Sequence, residues 1–289
     1  MNGDLFANLS SRIPEFSKGH RRIADFILSH YDKAAFMTAS KLGESVGVSE
    51  STVVRFASEL GFDGYPELQK ALQEEMRTRL TAVQRIEVSF DRFGHDEVFK
   101  SVLLHDIDRI RRTLDETDPN RFGSAIEQII SAETIYIMGI RSSAALASFM
   151  GYYFKLMLPN VTVIQTGSRS ELYEQLMHMT SKDVLIGISF PRYSRQTVAA
   201  FNYAHDIGAQ TIAITDSQDS PIASKADNAL LAKSDMVSFV DSLVAPLSLI
   251  NALIVAVSIQ NKDLVSKNFE RLDRIWEEYD VYEKNGGEQ

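Results

Sequence analysis

Cysteine is absent from the 289 residues. Disulfides, thiolate-ligated zinc and a cysteine nucleophile are thereby excluded, and the chain suits a reducing compartment such as the cytoplasm. A P-loop and a G-x-G-x-x-G fingerprint are also missing. The six histidines, His20, His30, His95, His105, His178 and His205, show no metal-ligand spacing, so neither a metal nor a cofactor is expected. The first residues, MNGDLFANLSSRIPEF, contain no apolar core of the signal-peptide kind. Internal repeats and low-complexity tracts are lacking. Long apolar runs are scarce. Only Ser242 to Ile259 approaches membrane-spanning length, and Pro246, Asn251 and three serines interrupt it. That run reads as a buried helix or a subunit interface, and no membrane partner is expected.

What is present fits two domains of a soluble globular protein, with 44% hydrophobic and 24% charged residues. The net charge of −9 argues mildly against nucleic acid, but the charge is uneven. Residues 1–79 hold ten Lys and Arg against eleven Asp and Glu, whereas the remainder holds 20 against 28. The acidity belongs to the second part. The first is near neutral and can turn Lys18, Arg21, Arg22, Lys41 and Arg55 towards phosphates.

Residues 38–62, TASKLGESVGVSESTVVRFASELGF, read as two short helices joined by a tight turn. Thr38 caps the first, whose apolar side carries Leu42 and Val46, and Gly47 ends it in a left-handed conformation. Ser49 caps the second, and Glu50 suits the positive end of its dipole. Val53, Phe56, Ala57 and Leu60 form its buried stripe at i, i+3, i+4 and i+7. Ser51, Thr52 and Arg55 fall on another face. A small, polar, partly basic face there is what a recognition helix presents to the major groove of double-stranded DNA. An ordinary αα-hairpin is the structural alternative. The candidate DNA-binding residues are Lys41, Ser49, Ser51, Thr52 and Arg55.

A single helix is expected over residues 17–36, capped by Ser17, with Ile23, Phe26 and Ile27 on one side. A further helix from Gly64 buries Leu68 and Leu72. Together these make an all-helical domain over residues 1–79. Residues 80–117 read as a linker and a connecting amphipathic helix. From 118 to 260 short apolar runs at 134–139, 161–165, 183–189, 210–215 and 228–232 alternate with helices at 142–157, 168–180, 194–207 and near 220–226. This is the pattern of a five-stranded, doubly wound parallel sheet, giving the fold class α plus α/β. Residues 261–289 read as a C-terminal helix carrying Leu264, Phe269, Leu272, Ile275 and Trp276, then a disordered-looking tail.

Ligands of such sheets bind beyond the carboxyl ends of the strands. The loops there read GIRSSAA, TGSRSE, SFPRYSRQT and TDSQDSP. Ser142 or Ser143, Ser168 and Ser194 sit where helices begin, so hydroxyls join free backbone N–H groups in candidate anion sites. Arg141, Arg169 and Arg192 or Arg195 add charge. For one loop, capping serines and solvated arginines would suffice. Three loops on one edge point to a small anionic ligand. Glu171, Glu174 and His178 lie on the helix expected after the second strand, with Glu171 and His178 seven apart on one face as an acid/base pair would need, but an acidic first turn is ordinary for any helix and no catalytic set stands out.

Residues 47–72, GVSESTVVRFASELGFDGYPELQKAL, closely resemble the helix-turn-helix segment of RpiR-type bacterial transcriptional regulators. Residues 118–260 resemble their SIS (sugar isomerase) domain, of flavodoxin-like layout. The resemblance implies a cytoplasmic regulator, usually a homodimer or homotetramer, that senses a phosphorylated sugar or related metabolite. A sugar-phosphate isomerase with a helical appendage is the alternative. SIS domains commonly carry a serine after the first strand and a Ser-x-Ser-Gly-x-Thr-like loop after the third. Ser143 matches the first, and Ser189 and Ser194 match the loop's ends. Pro191 replaces the middle serine, while Arg192 and Arg141 replace glycines. Such replacements favour a more acidic ligand, such as a sugar acid, or mark an altered site. The expected effector residues are Arg141, Ser142, Ser143, Ser168, Ser189, Arg192 and Ser194.

Overall fold

The computed structural model describes residues 5–79, 98–234 and 240–282, with the isolated positions 83 and 86. Most of the expected linker and the KNGGEQ tail lie outside the described residues. The chain divides into two compact units, the first Met1–Ser101 with Met236–Asp241 and the second Val102–Asp235 with Ser242–Gln289.

The first unit is all-helical, with α1 (Leu5–Arg12), α2 (Lys18–Ser29), α3 (Tyr31–Ala34), α4 (Ala39–Val46), α5 (Glu50–Glu59) and α6 (Tyr65–Arg79). Leu9, Ile23, Ile27, Leu42, Val53, Phe56, Leu68 and Leu72 are fully buried in one core. Each such side chain contributes roughly 1.5–3 kcal/mol of burial. The predicted stripe of α5 is borne out, since Val53, Phe56, Ala57 and Leu60 all face this core. Helix α1, which the sequence reading passed over, adds Leu5, Phe6 and Leu9. The single helix expected over 17–36 is instead two. Ser17 caps the first as expected, accepting the His20 N–H at 3.3 Å. His30 then leaves the helix at φ −136°. The Ser29 hydroxyl donates to the Asp25 carbonyl at 2.6 Å, and the His30 ring stacks on Phe26 at 4.9 Å. The turn lets α3 restart at a new angle and bury Ala34 and Ala35.

The helix α7 (Val98–Glu116), which belongs to the second unit from Val102 onward, and α8 (Pro119–Ser131) lead into five strands, β1 (Ile135–Gly139), β2 (Val161–Ile164), β3 (Val184–Ile188), β4 (Gln210–Thr215) and β5 (Asn228–Leu231). Between them lie α9 (Ser143–Met157), α10 (Arg169–Leu176) and α11 (Arg195–Asp206), and then α12 (Val244–Gln260) and α13 (Lys262–Glu278). The strands are parallel in the order β2-β1-β3-β4-β5. This is the flavodoxin-like order expected. Side chains alternate along each strand, so Ile137, Ile186 and Ile212 pack under α8, α9 and α12, while Met138, Leu185 and Ala213 pack under α10 and α11. Gly187 admits α11 to the sheet, because a Cβ there would stand 2.1 Å from the Phe201 ring. The apolar run from Ser242 is α12, whose Leu249, Ile250, Leu253 and Val257 are buried. Among the described residues no single helix is long and apolar enough to cross a membrane.

Two sequence expectations in this unit need correction. Residues 168–180 give only α10, which ends at Leu176. His178 lies past that end, so it shares no helix face with Glu171. The segment near 220–226 is a single 3-10 turn, Ala223–Lys225, rather than an α-helix.

Candidate functional site

Helices α4 and α5 meet as the sequence demands. The Thr38 hydroxyl accepts the Lys41 N–H at 3.2 Å, and Ser49 accepts that of Thr52 at 3.3 Å. Gly47 ends α4 at φ 70°, a left-handed turn that glycine takes without strain. Gly43 settles how closely the pair approaches. A Cβ there would lie 2.8 Å from the Val48 carbonyl oxygen. Sequence reading passed over Gly43, although a glycine inside a short helix is a signal of close approach.

The outer side of α5 exposes Ser51, Val54, Arg55 and Ser58, and Lys41 and Ser49 are exposed beside it. Arg55 donates through Nε to the Ser51 carbonyl at 3.3 Å. Thr52 stands apart from the rest. It is half-buried, its hydroxyl lies 2.8 Å from Ser49 Oγ, and its methyl group faces Gly19 of α2. Val54, which the sequence reading missed, is an exposed apolar side chain on the same face, 39% accessible. His20 of α2 braces the far end of α5, with Nδ1 2.5 Å from Glu59 Oε2 and its ring edge-on to Phe56.

The second unit gathers its polar residues at the carboxyl ends of β1 and β3. The crossovers reverse direction between these strands, since α9 covers one face of the sheet and α10 and α11 the other. Gly139 ends β1 beneath the first turn of α9, where a Cβ would meet the Ser143 carbonyl oxygen at 2.3 Å. Ser143 and Ser189 are buried, at 5% and 3% exposure. Ser142 begins α9 without a side-chain capping bond. Ser194 caps α11, accepting the Thr197 N–H at 3.4 Å, and its own N–H donates to Ser189 Oγ at 3.3 Å.

Arg141 and Arg192 hold left-handed backbone, φ 57° and 64°. For a non-glycine residue this costs about 1–2 kcal/mol. The surroundings enforce it at Arg192. The Ser194–Ser189 bond closes its loop, and the next residue, Tyr193, donates to Asp216 Oδ1 at 2.9 Å beyond β4. Both arginine side chains are exposed.

Ser168 plays another part. It caps α10, accepting the Glu171 N–H at 3.2 Å, and Glu171 reaches back to Thr166 Oγ1 at 2.9 Å and Gly167 N at 3.2 Å. The Thr166 hydroxyl, then the Gly167 N–H, hold the Glu171 carboxyl below its ordinary range. This is a variant of the capping box, in which Glu171 accepts from the two residues before the cap while the cap's own N–H donates to Thr166 Oγ1 at 3.0 Å.

An open groove of about 740 Å3 runs along the outer side of α11, lined by Arg169, Arg192, Tyr193, Arg195, Val198 and Pro221 among others. Of the seven residues expected from sequence, only Arg192 lines it. The groove thus gathers three guanidinium groups, those of Arg169, Arg192 and Arg195, and none of the buried serines lines it. Among the described residues no cluster of His, Asp or Glu has a metal-holding arrangement.

Two family profiles match the chain, "Helix-turn-helix domain, rpiR family" over residues 3–79 and "SIS domain" over 128–256. The sugar isomerase domain of an RpiR transcription factor from Sphaerobacter thermophilus is 31% identical, with a TM-score of 0.60, and the match covers 62% of this chain and 99% of that one. The HTH-type transcriptional regulator HexR of Escherichia coli is 24% identical over 282 residues, 95% of each chain. The NanR protein of Vibrio vulnificus, solved with ManNAc-6P, has the same fold over 94% of this chain and 98% of its own, at 20% identity and a TM-score of 0.56. With a helix-turn-helix pair in its first unit and an SIS sheet in its second, the chain belongs to the RpiR family of DNA-binding transcriptional regulators.

Proposed function

We propose that the protein regulates carbohydrate genes from the cytoplasm, and that a sugar phosphate or sugar acid bound in the SIS domain controls its grip on DNA. The observation that carries this reading is the pair of left-handed arginines, Arg141 and Arg192, beside buried Ser143 and Ser189. Hydroxyls, helix N-terminal N–H groups and guanidinium groups on one edge suit an anionic oxygen cluster. The relative NanR, whose solved form holds ManNAc-6P, supports a phosphorylated sugar. In this reading Ser142, Ser143, Ser189 and Ser194 contact the ligand, Arg141 and Arg192 clamp its charge, and Ser168 contributes through the start of α10.

DNA is met by α5 in the same reading. Ser51 and Arg55 reach base edges, Lys41 and Ser49 reach phosphates, and Thr52 sets the first turn. One recognition helix reads few base pairs, so the working form is a homodimer or homotetramer on paired half-sites. The protein performs no catalysis. An isomerase needs a base near the bound sugar, and the Thr166 and Gly167 hydrogen bonds to Oε2 lower the pKa of Glu171 and with it its basicity.

An electrophoretic shift with the protein's own upstream DNA, run with and without a panel of sugar phosphates and sugar acids, tests the whole reading. The expected result is a shift that one panel class alters. No shift at any protein concentration overturns the DNA reading, and a shift that ignores the whole panel overturns the effector reading.

A further inference from the structure

Helix α7 is amphipathic in the reverse of the usual sense. Its inner side is polar. Asp106 accepts from Arg109 at 3.1 Å and from the Ser242 hydroxyl at 2.7 Å, and Thr113 Oγ1 accepts the Lys233 N–H at 2.9 Å. Arg109 and Thr113 are buried. Its outer side is apolar. Leu103, Leu104, Ile107, Ile110 and Leu114 are between 38% and 75% exposed. At 100° per residue these five fall within one stripe centred on Ile107. Among the described residues, a helix that spends its polar side on its own domain and leaves such a stripe exposed has no partner for that stripe.

We infer that the outer face of α7 pairs, antiparallel, with α7 of a second copy of this chain. The inference rests on the reading of the protein as a homo-oligomer and names the surface that makes it one. The order of charge along the stripe argues for a second copy. Lys100 stands at its start and Asp115 at its end, both exposed. A two-fold axis near Ile107 lays Lys100 of one copy beside Asp115 of the other. It also lays the Arg111 stem over Leu103 and Leu104, with the guanidinium at the rim. Parallel pairing would oppose Lys100 to Lys100, Arg111 to Arg111 and Asp115 to Asp115. Antiparallel pairing opposes unlike charges and unlike helix dipoles, so the face complements itself as an isologous interface requires.

The absence of cysteine makes the test clean. Lys100→Cys and Asp115→Cys chains are co-expressed and treated with a short bismaleimide, and wild type and Ile107→Glu are compared by sedimentation at micromolar concentration. The expected result is a cross-linked dimer from the mixture and none from either variant alone, with Ile107→Glu falling to half the wild-type mass. Cross-linking within each single variant would overturn the antiparallel arrangement. Should wild type sediment as an oligomer while the mixture fails to cross-link and Ile107→Glu keeps its mass, the α7 surface is wrong and the homo-oligomer reading survives. A monomeric wild type would overturn both. If Ile107→Glu does not fold, the cysteine pair, placed at two exposed charged positions, decides alone.

Discussion

Replacing Arg192 by glycine separates what its backbone costs from what its side chain contributes. The residue holds φ 64°, and its side chain is exposed, so no core packing is lost on truncation. Left-handed backbone costs an L-residue about 1–2 kcal/mol. Glycine relieves that but adds about 0.5–1 kcal/mol of chain entropy to the unfolded state. The balance is a gain of about 0–1.5 kcal/mol, and each kcal/mol moves Tm by roughly 2–4 °C in a domain of this size. Arg192→Gly should therefore melt no lower than wild type, and up to a few degrees higher. Ligand binding should move the other way. A lost hydrogen bond to a charged group costs about 1.5–3 kcal/mol, a weakening of about 10- to 150-fold. Thermal unfolding and titration calorimetry with the effector read the two effects separately. A variant that melts well below wild type would refute the strain argument. Unchanged or improved affinity for sugar phosphates would refute the clamp, and improvement would make Arg192 a plug over the crevice.

Three further outcomes are expected. Arg55→Ala should weaken operator binding by about 1–3 kcal/mol and relax specificity at one base pair if the arginine reads guanine, or weaken all sequences alike and lower the salt slope if it meets a phosphate; a folded variant with wild-type affinity in a shift assay refutes both. Gly43→Ala forces a methyl group to 2.8 Å from the Val48 carbonyl oxygen, so the first unit should lose about 1–3 kcal/mol in denaturant unfolding while effector titration stays unchanged. Glu171 has a folded value below its unfolded one, so the stability it contributes is present above about pH 4.3 and is lost as pH falls through the depressed value; Glu171→Gln should flatten that acid limb, and an unchanged limb would show that the capping box adds no pH-dependent stability.

The parts of the fold that were legible in sequence are those where one periodicity rules. All five strands and the α9 and α11 helices lie where apolar runs and their spacing place them, because a buried parallel strand must be apolar throughout and a covering helix must not. The breaks were less legible. His30 is no helix breaker by type. It ends α2 because Ser29 turns back on Asp25 and because Ala34 and Ala35 have a core to enter, and both are tertiary facts. The length of α10 escaped for a related reason. Its apolar residues continue past Leu176, with Met179 buried, but the chain must turn there to enter β3. At the site, the sequence showed which loops carry hydroxyls and arginines. It could not show that Arg141 and Arg192 adopt left-handed backbone, a conformation that glycine takes without strain. Nor could it pair Tyr193 with Asp216, residues from loops after different strands.

In the proposed reading those two arginines also bear on how an acidic domain admits an anion. The chain from residue 80 onward holds 28 Asp and Glu against 20 Lys and Arg, so a negative ligand approaching at random meets repulsion. Four of those cations, Arg141, Arg169, Arg192 and Arg195, stand in the loops and first helical turns at one edge of the sheet. Two of the four hold strained backbone to stand there. A lysine or arginine placed on the outer side of a helix would have met no such cost. Strain of this kind persists where the surroundings over-determine it, and here a hydroxyl–amide bond within the loop and a phenol–carboxylate bond to a neighbouring strand end do so at Arg192. A positive edge on a negative body selects by position as well as by charge. In the proposed reading it draws an anion to the end of the sheet where helix N-termini supply further N–H groups.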